Sequence, residues 1–170
     1  MKIIFSLLFF FLSVCATAQR ATAVTEKELK ELLVGNWVGN IVYTGTDNEK
    51  LQVTLTTTLE IVDMKDSLLF KYVYTDANGK QTTEKNSLRI YEDGNRLSFD
   101  SAQFDIMATR RRGPRVTIIA EREGAENFRS ADFQETINFG PGILNFTKGI
   151  RYMDMSDAYF IRKRVTLTKK

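Results

Sequence analysis

The chain has 170 residues, with 24 lysines and arginines against 21 acidic residues and a formal net charge of +3. This length suits one ordinary domain, and so small a charge gives no nucleic-acid signature. Histidine is absent, which excludes a Ser-His-Asp triad, a Cys-His pair, a His-ligated haem and ordinary His-containing zinc sites. Carboxylates, Lys, Arg, Tyr, Ser and Thr remain for any catalysis, but an enzyme is the disfavoured alternative. We expect no enzyme, no catalytic residue, no metal and no cofactor.

Residues 1–18 read as a secretory signal peptide, because Lys2 precedes the apolar run 3–14 and the small residues Ala16-Thr17-Ala18. The apolar run is shorter than the roughly 20 residues a spanning helix needs. We expect cleavage after Ala18, followed by export to the periplasm or release, with outer-membrane association left open. Lipoprotein processing at Cys15 is the less favoured alternative, since Val14 poorly suits the position before a lipid-modified cysteine.

The only cysteine leaves with this segment, so residues 19–170 would fold without an internal disulfide. Their first element is a predicted short helix over 25–33. Thr25 followed by Glu28 forms a capping-box pattern, and Leu29, Leu32 and Leu33 share one helical face. After Gly35 the apolar period changes from 3.6 to 2, which indicates a switch to strands.

The clearest strand is 51–61, where apolar residues alternate with polar ones. Further predicted strands are 36–44, 67–75, 80–91, 95–110, 115–122, 128–139, 143–152 and 158–168. Asp100-Ser101 would break the longest of these into two. Short turn sequences separate the runs, among them Glu123-Gly124-Ala125, and Asp76-Ala77-Asn78-Gly79 lacks the ligand spacing of a calcium loop.

Nine or ten strands joined by hairpins are too many for a flat open sheet, and closure removes exposed edges. The predicted fold is all-β: a single antiparallel up-and-down β-barrel of 8–10 strands, preceded by a short N-terminal helix. One domain spans residues 19–170, because no linker, internal repeat or low-complexity segment divides the chain.

The segment from Leu33 to Gly39 reads Leu-x-Gly-x-Trp-x-Gly, and arginines occur in the last predicted strand. With the helix and the meander, this pattern resembles the lipocalin and calycin superfamily, and more broadly lipocalin-like exported bacterial proteins. The resemblance implies that Gly35 and Trp37 lie at the closed end of the barrel. It also implies that Arg162 or Arg164 packs across the indole, where a guanidinium gains cation–π attraction.

Many aromatic residues fall on the predicted strands, and small barrels enclose either their own side chains or one small ligand. The set comprises Phe70, Tyr72, Tyr74, Phe99, Phe104, Phe133, Phe139, Phe146 and Tyr159. A filled core is one interpretation, and a ligand pocket is the other. Our candidate ligand-binding residues are Phe70, Tyr72 and Tyr74, which share one face of one strand, together with Phe99 and Phe133.

Arg110, Arg111, Arg112 and Arg115 surround a tight Gly113-Pro114 turn. They are candidates for contact with an anion such as a phosphate, a carboxylate or an acidic polysaccharide. The favoured interpretation is a solvated hairpin tip, with charges neutralised by acids such as Glu121 and Glu123 across the hairpin.

These patterns together predict an exported, non-catalytic, lipocalin-like protein that binds a small apolar or amphipathic molecule in its barrel. The expected partner is therefore a small lipophilic molecule rather than a nucleic acid. The alternative is an envelope structural or protein-interaction module with a filled barrel. The oligomeric state is left open.

Overall fold

The computed structural model describes residues 23–45, 51–91, 94–155 and 157–170, so the predicted signal peptide and Cys15 lie outside the described residues. One helix precedes ten strands. The elements are α1 (Glu26–Leu33), β1 (Gly35–Thr44), β2 (Gln52–Met64), β3 (Ser67–Thr75), β4 (Gln81–Tyr91), β5 (Arg96–Phe99), β6 (Ala102–Arg112), β7 (Arg115–Glu126), β8 (Arg129–Gly140), β9 (Ile143–Tyr152) and β10 (Phe160–Lys169). No helix in these ranges has the length and apolar character needed to cross a membrane.

The strands form one closed antiparallel barrel in which chain neighbours are paired and β1 also pairs with β10. The predicted all-β barrel with a preceding helix is confirmed. The predicted strand 95–110 is indeed broken at Asp100-Ser101, whose φ angles of 52° and 63° form a two-residue hairpin turn between Phe99 and Ala102.

The turn predicted at Glu123-Gly124-Ala125 is wrong. Gly124 and Ala125 continue β7 and pair with Ala131 and Ser130 of β8. The chain reverses instead at Asn127-Phe128, where both residues have positive φ. Backbone pairing over the full hairpin therefore overrides the local turn preference of glycine.

Helix α1 closes one end of the barrel, which we call the helix end. Thr25 caps the helix as predicted, because its hydroxyl accepts a hydrogen bond from the Glu28 amide at 3.2 Å. Leu29 and Leu33 are buried in the core. Lys30 lies 2.8 Å from Asp63 near the end of β2 and donates to the Lys65 carbonyl oxygen at 3.2 Å, which ties the helix to the β2–β3 turn.

Trp37 is fully buried beneath this helix, and its indole N–H donates to the Leu33 carbonyl oxygen at 2.8 Å. Gly35 and Trp37 therefore lie at the helix end, the position that the lipocalin resemblance implied for them. Gly39 allows β1 to approach β10 closely, since a Cβ there would lie 2.0 Å from the Thr166 carbonyl oxygen.

The cation over Trp37 is Lys169, whose ammonium lies 5.4 Å from the ring centre. Arg162 and Arg164 lie near the start of β10, towards the opposite end of the barrel. Arg164 is a direct partner of Val42, five residues beyond Trp37 along β1. The antiparallel register thus corrects the role expected of Arg162 or Arg164, because it brings the end of β10 rather than its start against Trp37.

The barrel interior is filled with aromatic rings through its middle. Phe70 packs edge-on against Phe99 and Phe146, with ring centres 5.8 Å apart in each pair. Phe99 and Phe146 stack at 5.3 Å. This cluster separates the helix end from the opposite end, which we call the mouth and which lies where β1 ends at Thr44, β7 at Glu126 and β9 at Tyr152.

Candidate functional site

A cavity of about 390 Å³ occupies the mouth, above the aromatic cluster. Its wall is unusual for a barrel interior because half of its residues are charged. The lining residues are Tyr43, Thr44, Tyr72, Glu84, Phe99, Asp100, Glu126, Glu135, Phe146, Lys148, Ile150, Arg162, Lys163 and Val165. A space of this size is in the range of small-molecule sites.

Of the predicted ligand-binding residues, Tyr72 and Phe99 line the cavity, whereas Phe70, Tyr74 and Phe133 do not. Phe70 lies in the aromatic cluster below. Tyr74 stacks on Tyr72 at 5.5 Å, and Phe133 packs against the Arg122 guanidinium at 4.0 Å. Tyr43 and Phe146 complete the aromatic part of the wall.

One wall of the cavity is a row of directly paired residues on four strands. Glu135 of β8 is the partner of Lys148 of β9, which is the partner of Lys163 of β10, which is the partner of Tyr43 of β1. Two lysines directly opposite each other repel. Lys163 lies over the rings of Tyr43 and Tyr72, at 5.6 and 5.7 Å, and these rings attract its charge.

Glu135 is only 5% exposed, and its carboxyl forms no hydrogen bond or ion pair with any described residue. Burial raises its pKa to about 7, against the opposing pull of Lys148 and Lys163. At neutral pH this carboxyl is therefore partly protonated, and it neutralises the two lysines only in part.

Glu84 and Asp100 form the opposite wall. Glu84 lies on β4, and Asp100 directly follows β5. In the order of strands around the barrel, β4 and β5 are five strands away from β9 and β10, which is half of the circumference. Glu84 accepts a hydrogen bond from the Asn86 amide at 2.7 Å. Glu84 and Glu135 thus face one cavity, the minimum arrangement that acid–base catalysis would need.

Arg162 joins three strands at the mouth. It donates to the Gly45 carbonyl oxygen at 2.9 Å and to the Tyr152 hydroxyl at 3.1 Å, and it lies 3.9 Å from Glu126. The Tyr152 hydroxyl in turn donates a hydrogen bond to Glu126. This network fixes one side of the rim. Large exposed apolar side chains also occur near the mouth, namely Leu51, Val53, Phe128, Met153 and Met155.

The Gly113-Pro114 turn with its four arginines lies at the helix end of the barrel, opposite the mouth cavity. Arg111 forms a two-bond ion pair with Glu28 of α1, at 2.5 and 2.8 Å. The sequence suggested Glu121 and Glu123 as the neutralising acids, but Glu121 accepts from Gln134 at 2.7 Å instead. The expected pairing is therefore wrong for Arg111, because the tertiary fold places Glu28 of α1 beside it. Arg110, Arg112 and Arg115 are exposed at the tip, where an anion contact stays a prediction.

The charged lining was missed because polar residues in alternating strands are normally assigned to the solvent face. Lys148 and Lys163 do follow the inward parity of Phe146 and Val165, which was the available signal. Arg162 gave none. A β-bulge between Ile161 and Lys163 shifts the register and lets two successive residues, Arg162 and Lys163, reach the cavity.

Comparisons with known proteins find a likeness of fold only. No family model matches the chain, and no curated protein matches it in sequence. Its structure is similar to the crystal structure of Rv2717c from M. tuberculosis, with a TM-score of 0.57 and 13% sequence identity over 84% of this chain and 97% of that chain. At this identity the likeness extends to the barrel architecture, and the lipocalin resemblance stays an interpretation of the sequence.

Proposed function

We propose that this protein is an exported, non-catalytic, lipocalin-like carrier that binds one small amphipathic molecule in the mouth of its barrel. The observation that carries the proposal is the cavity of about 390 Å³, which combines aromatic rings with charged side chains. Ligand pockets typically pair an apolar wall with a few polar groups that fix orientation. A purely apolar ligand suits this lining less well, because it would displace water from the charged side chains without replacing the lost hydrogen bonds.

Native mass spectrometry of the protein purified from its own cells tests the proposal. A discrete extra mass that is lost on denaturation is the expected result, and it identifies the ligand class directly. A native mass equal to that of the polypeptide alone would contradict a carrier. The denatured mass of the same sample also tests export, since cleavage after Ala18 removes residues 1–18.

A cavity-filling substitution provides the matched test of location. Ile150 lines the cavity, and Ile150→Phe adds volume there, whereas Ile161→Phe adds the same volume outside it. The first variant should lose the bound mass and the second should keep it, with circular dichroism showing that both are folded. Hydrolysis of a bound ester or glycoside that disappears in Glu135→Gln would contradict the non-catalytic part of the proposal.

A protein-interaction module is the second candidate, favoured by the exposed apolar side chains around the mouth. Phe128 is fully exposed at the β7–β8 turn, and Met153 and Met155 are each more than half exposed in the neighbouring β9–β10 connection. Grouped apolar side chains on a surface often mark contact sites. Retention of the extra mass in a Phe128→Ser, Met153→Ser variant would favour the carrier, because these side chains lie outside the cavity lining.

A further inference from the structure

The mouth cavity separates charges of opposite sign onto opposite walls. Lys148 and Lys163 lie on β9 and β10, while Glu84 and Asp100 lie half of the barrel circumference away. Among the described residues, none of these four forms an ion pair with another, and Arg162 with Glu126 is the one pair between lining residues. Lys148, Lys163 and Glu84 are half-buried and Asp100 is exposed, so these separated charges are accessible to a ligand that carries the complementary groups.

A ligand with a single charge is attracted electrostatically to one wall of this cavity and repelled by the other. A carboxylate near the two lysines faces Glu84 and Asp100 across the space, and an amine near these acids faces the lysines. A molecule that carries both groups complements both walls at once. The rings of Tyr72, Phe99 and Phe146 lie between them and suit an apolar or aromatic body.

From this arrangement we infer that the ligand is a small zwitterion, with a carboxylate held by Lys148 and Lys163 and a protonated amine held by Glu84 and Asp100. The inference rests on the proposed carrier function and narrows its ligand class. Glu135, directly beside Lys148, adjusts the charge of the cationic wall. Because this carboxyl is partly protonated near neutral pH, the two lysines keep a net positive charge for an anionic group.

A matched series of ligands on one aromatic ring tests the inference by isothermal titration calorimetry. The probes are 4-(aminomethyl)benzoate, which is zwitterionic, 4-methylbenzoate, which is anionic, and 4-methylbenzylamine, which is cationic. We expect the zwitterion to bind at least about tenfold more tightly than either singly charged probe, since each wall contributes a charge-assisted hydrogen bond. Equal affinity for the anion or the cation would overturn the inference, because one wall would then contribute nothing.

Two substitutions identify the walls. Lys163→Met keeps the stem and removes the cation, so the zwitterion should bind about tenfold more weakly and lose its advantage over 4-methylbenzylamine. Glu84→Gln should in the same way remove the affinity advantage of the zwitterion over 4-methylbenzoate. Arg164→Met and Glu123→Gln are the controls, because these exposed charged side chains lie on barrel strands and do not line the cavity. An unchanged preference in Lys163→Met and Glu84→Gln would also overturn the inference.

The failure of this inference is distinguishable from failure of the carrier function. If none of the three probes binds while native mass spectrometry shows a co-purified molecule without an amine or a carboxylate, the zwitterion is wrong and the carrier stands. If none binds and the protein carries no extra mass, the proposed function itself fails.

Discussion

The ammonium of Lys169 lies 5.4 Å from the centre of the Trp37 ring, and the two residues are direct partners across β1 and β10. This contact joins the first and last strands at the point where the barrel closes. Trp37 also hydrogen-bonds the end of α1 through Leu33, so one side chain links the helix, the first strand and the last. Trp37 therefore adds a buried side-chain contact to the backbone pairing that closes the barrel at the helix end.

Trp37→Ala should lower the free energy of unfolding by about 3–5 kcal/mol, because it removes a fully buried indole and leaves a cavity. Lys169→Met should cost less than about 1 kcal/mol, since the stem still covers the ring and only the cation–π contact is lost. Urea denaturation of both variants measures the difference. An unchanged midpoint in Trp37→Ala would contradict the role of Trp37 as an anchor.

Glu28→Gln should destabilise the protein by about 1 kcal/mol at neutral pH, because the paired side chains of Glu28 and Arg111 are only 26% and 32% exposed. The Arg111 hydrogen bond lowers the pKa of Glu28 below its unfolded value. Its contribution is therefore present above the unfolded pKa of about 4.3 and is lost as the pH falls through the folded pKa.

Thermal melts between pH 2 and 7 measure this effect, and the variant should lose less stability in acid than the wild type. Glu31→Gln is the control, since Glu31 is well exposed and lies 3.8 Å from Lys27. A control that behaves like Glu28→Gln would show that general helix charge, rather than the Arg111 pair, is responsible.

Glu135→Gln should stabilise the protein above pH 7 by about 1–3 kcal/mol, because burial raises the folded pKa of this carboxyl to about 7. Between the unfolded value of about 4.3 and pH 7 the native state holds more protons than the unfolded state, so wild-type stability falls as pH rises through this window. The groups that act on Glu135 are Lys148, Lys163, Arg122 and Asp100.

Denaturant unfolding at pH 5 and pH 8 compares the two proteins. The variant should lose less stability than the wild type between these pH values. Glu123→Gln, which changes an exposed acid on β7, should leave the wild-type difference in place. An identical pH dependence in Glu135→Gln and the wild type would exclude a buried, titrating Glu135.

Phe128→Gly should raise stability by about 0.5–1 kcal/mol. Phe128 has a φ of 64° and is fully exposed, so its ring contributes no burial while its Cβ makes the left-handed conformation unfavourable. Thermal denaturation tests this. Phe128→Ala, which keeps the Cβ, should not gain stability, and a gain of equal size in both variants would assign the effect to the ring instead.

Much of the architecture followed from local pattern. Alternation along 51–61 and the neighbouring runs predicted the strands, Thr25 the start of the helix, and Asp100-Ser101 the break that makes ten strands. These features depend on residues close together in the chain, where side-chain period and turn preference act directly. The expected position of Gly35 and Trp37 came from the family resemblance rather than from local pattern, and the structure places both residues directly after the helix.

Sequence by itself thus determined the all-β class, the helix–barrel order and the absence of histidine chemistry. Tertiary structure decided which charges meet. Register across the consecutive strands β8, β9 and β10 aligns Glu135, Lys148 and Lys163, and Tyr43 joins this row only because β1 closes against β10. The bulge before Lys163 also turns Arg162 inward, and the position of α1 gives Arg111 its partner. The pairing of Lys163 with Tyr43 depends on barrel closure, and the inward position of Arg162 depends on a bulge in the β9–β10 register, neither of which a local pattern encodes.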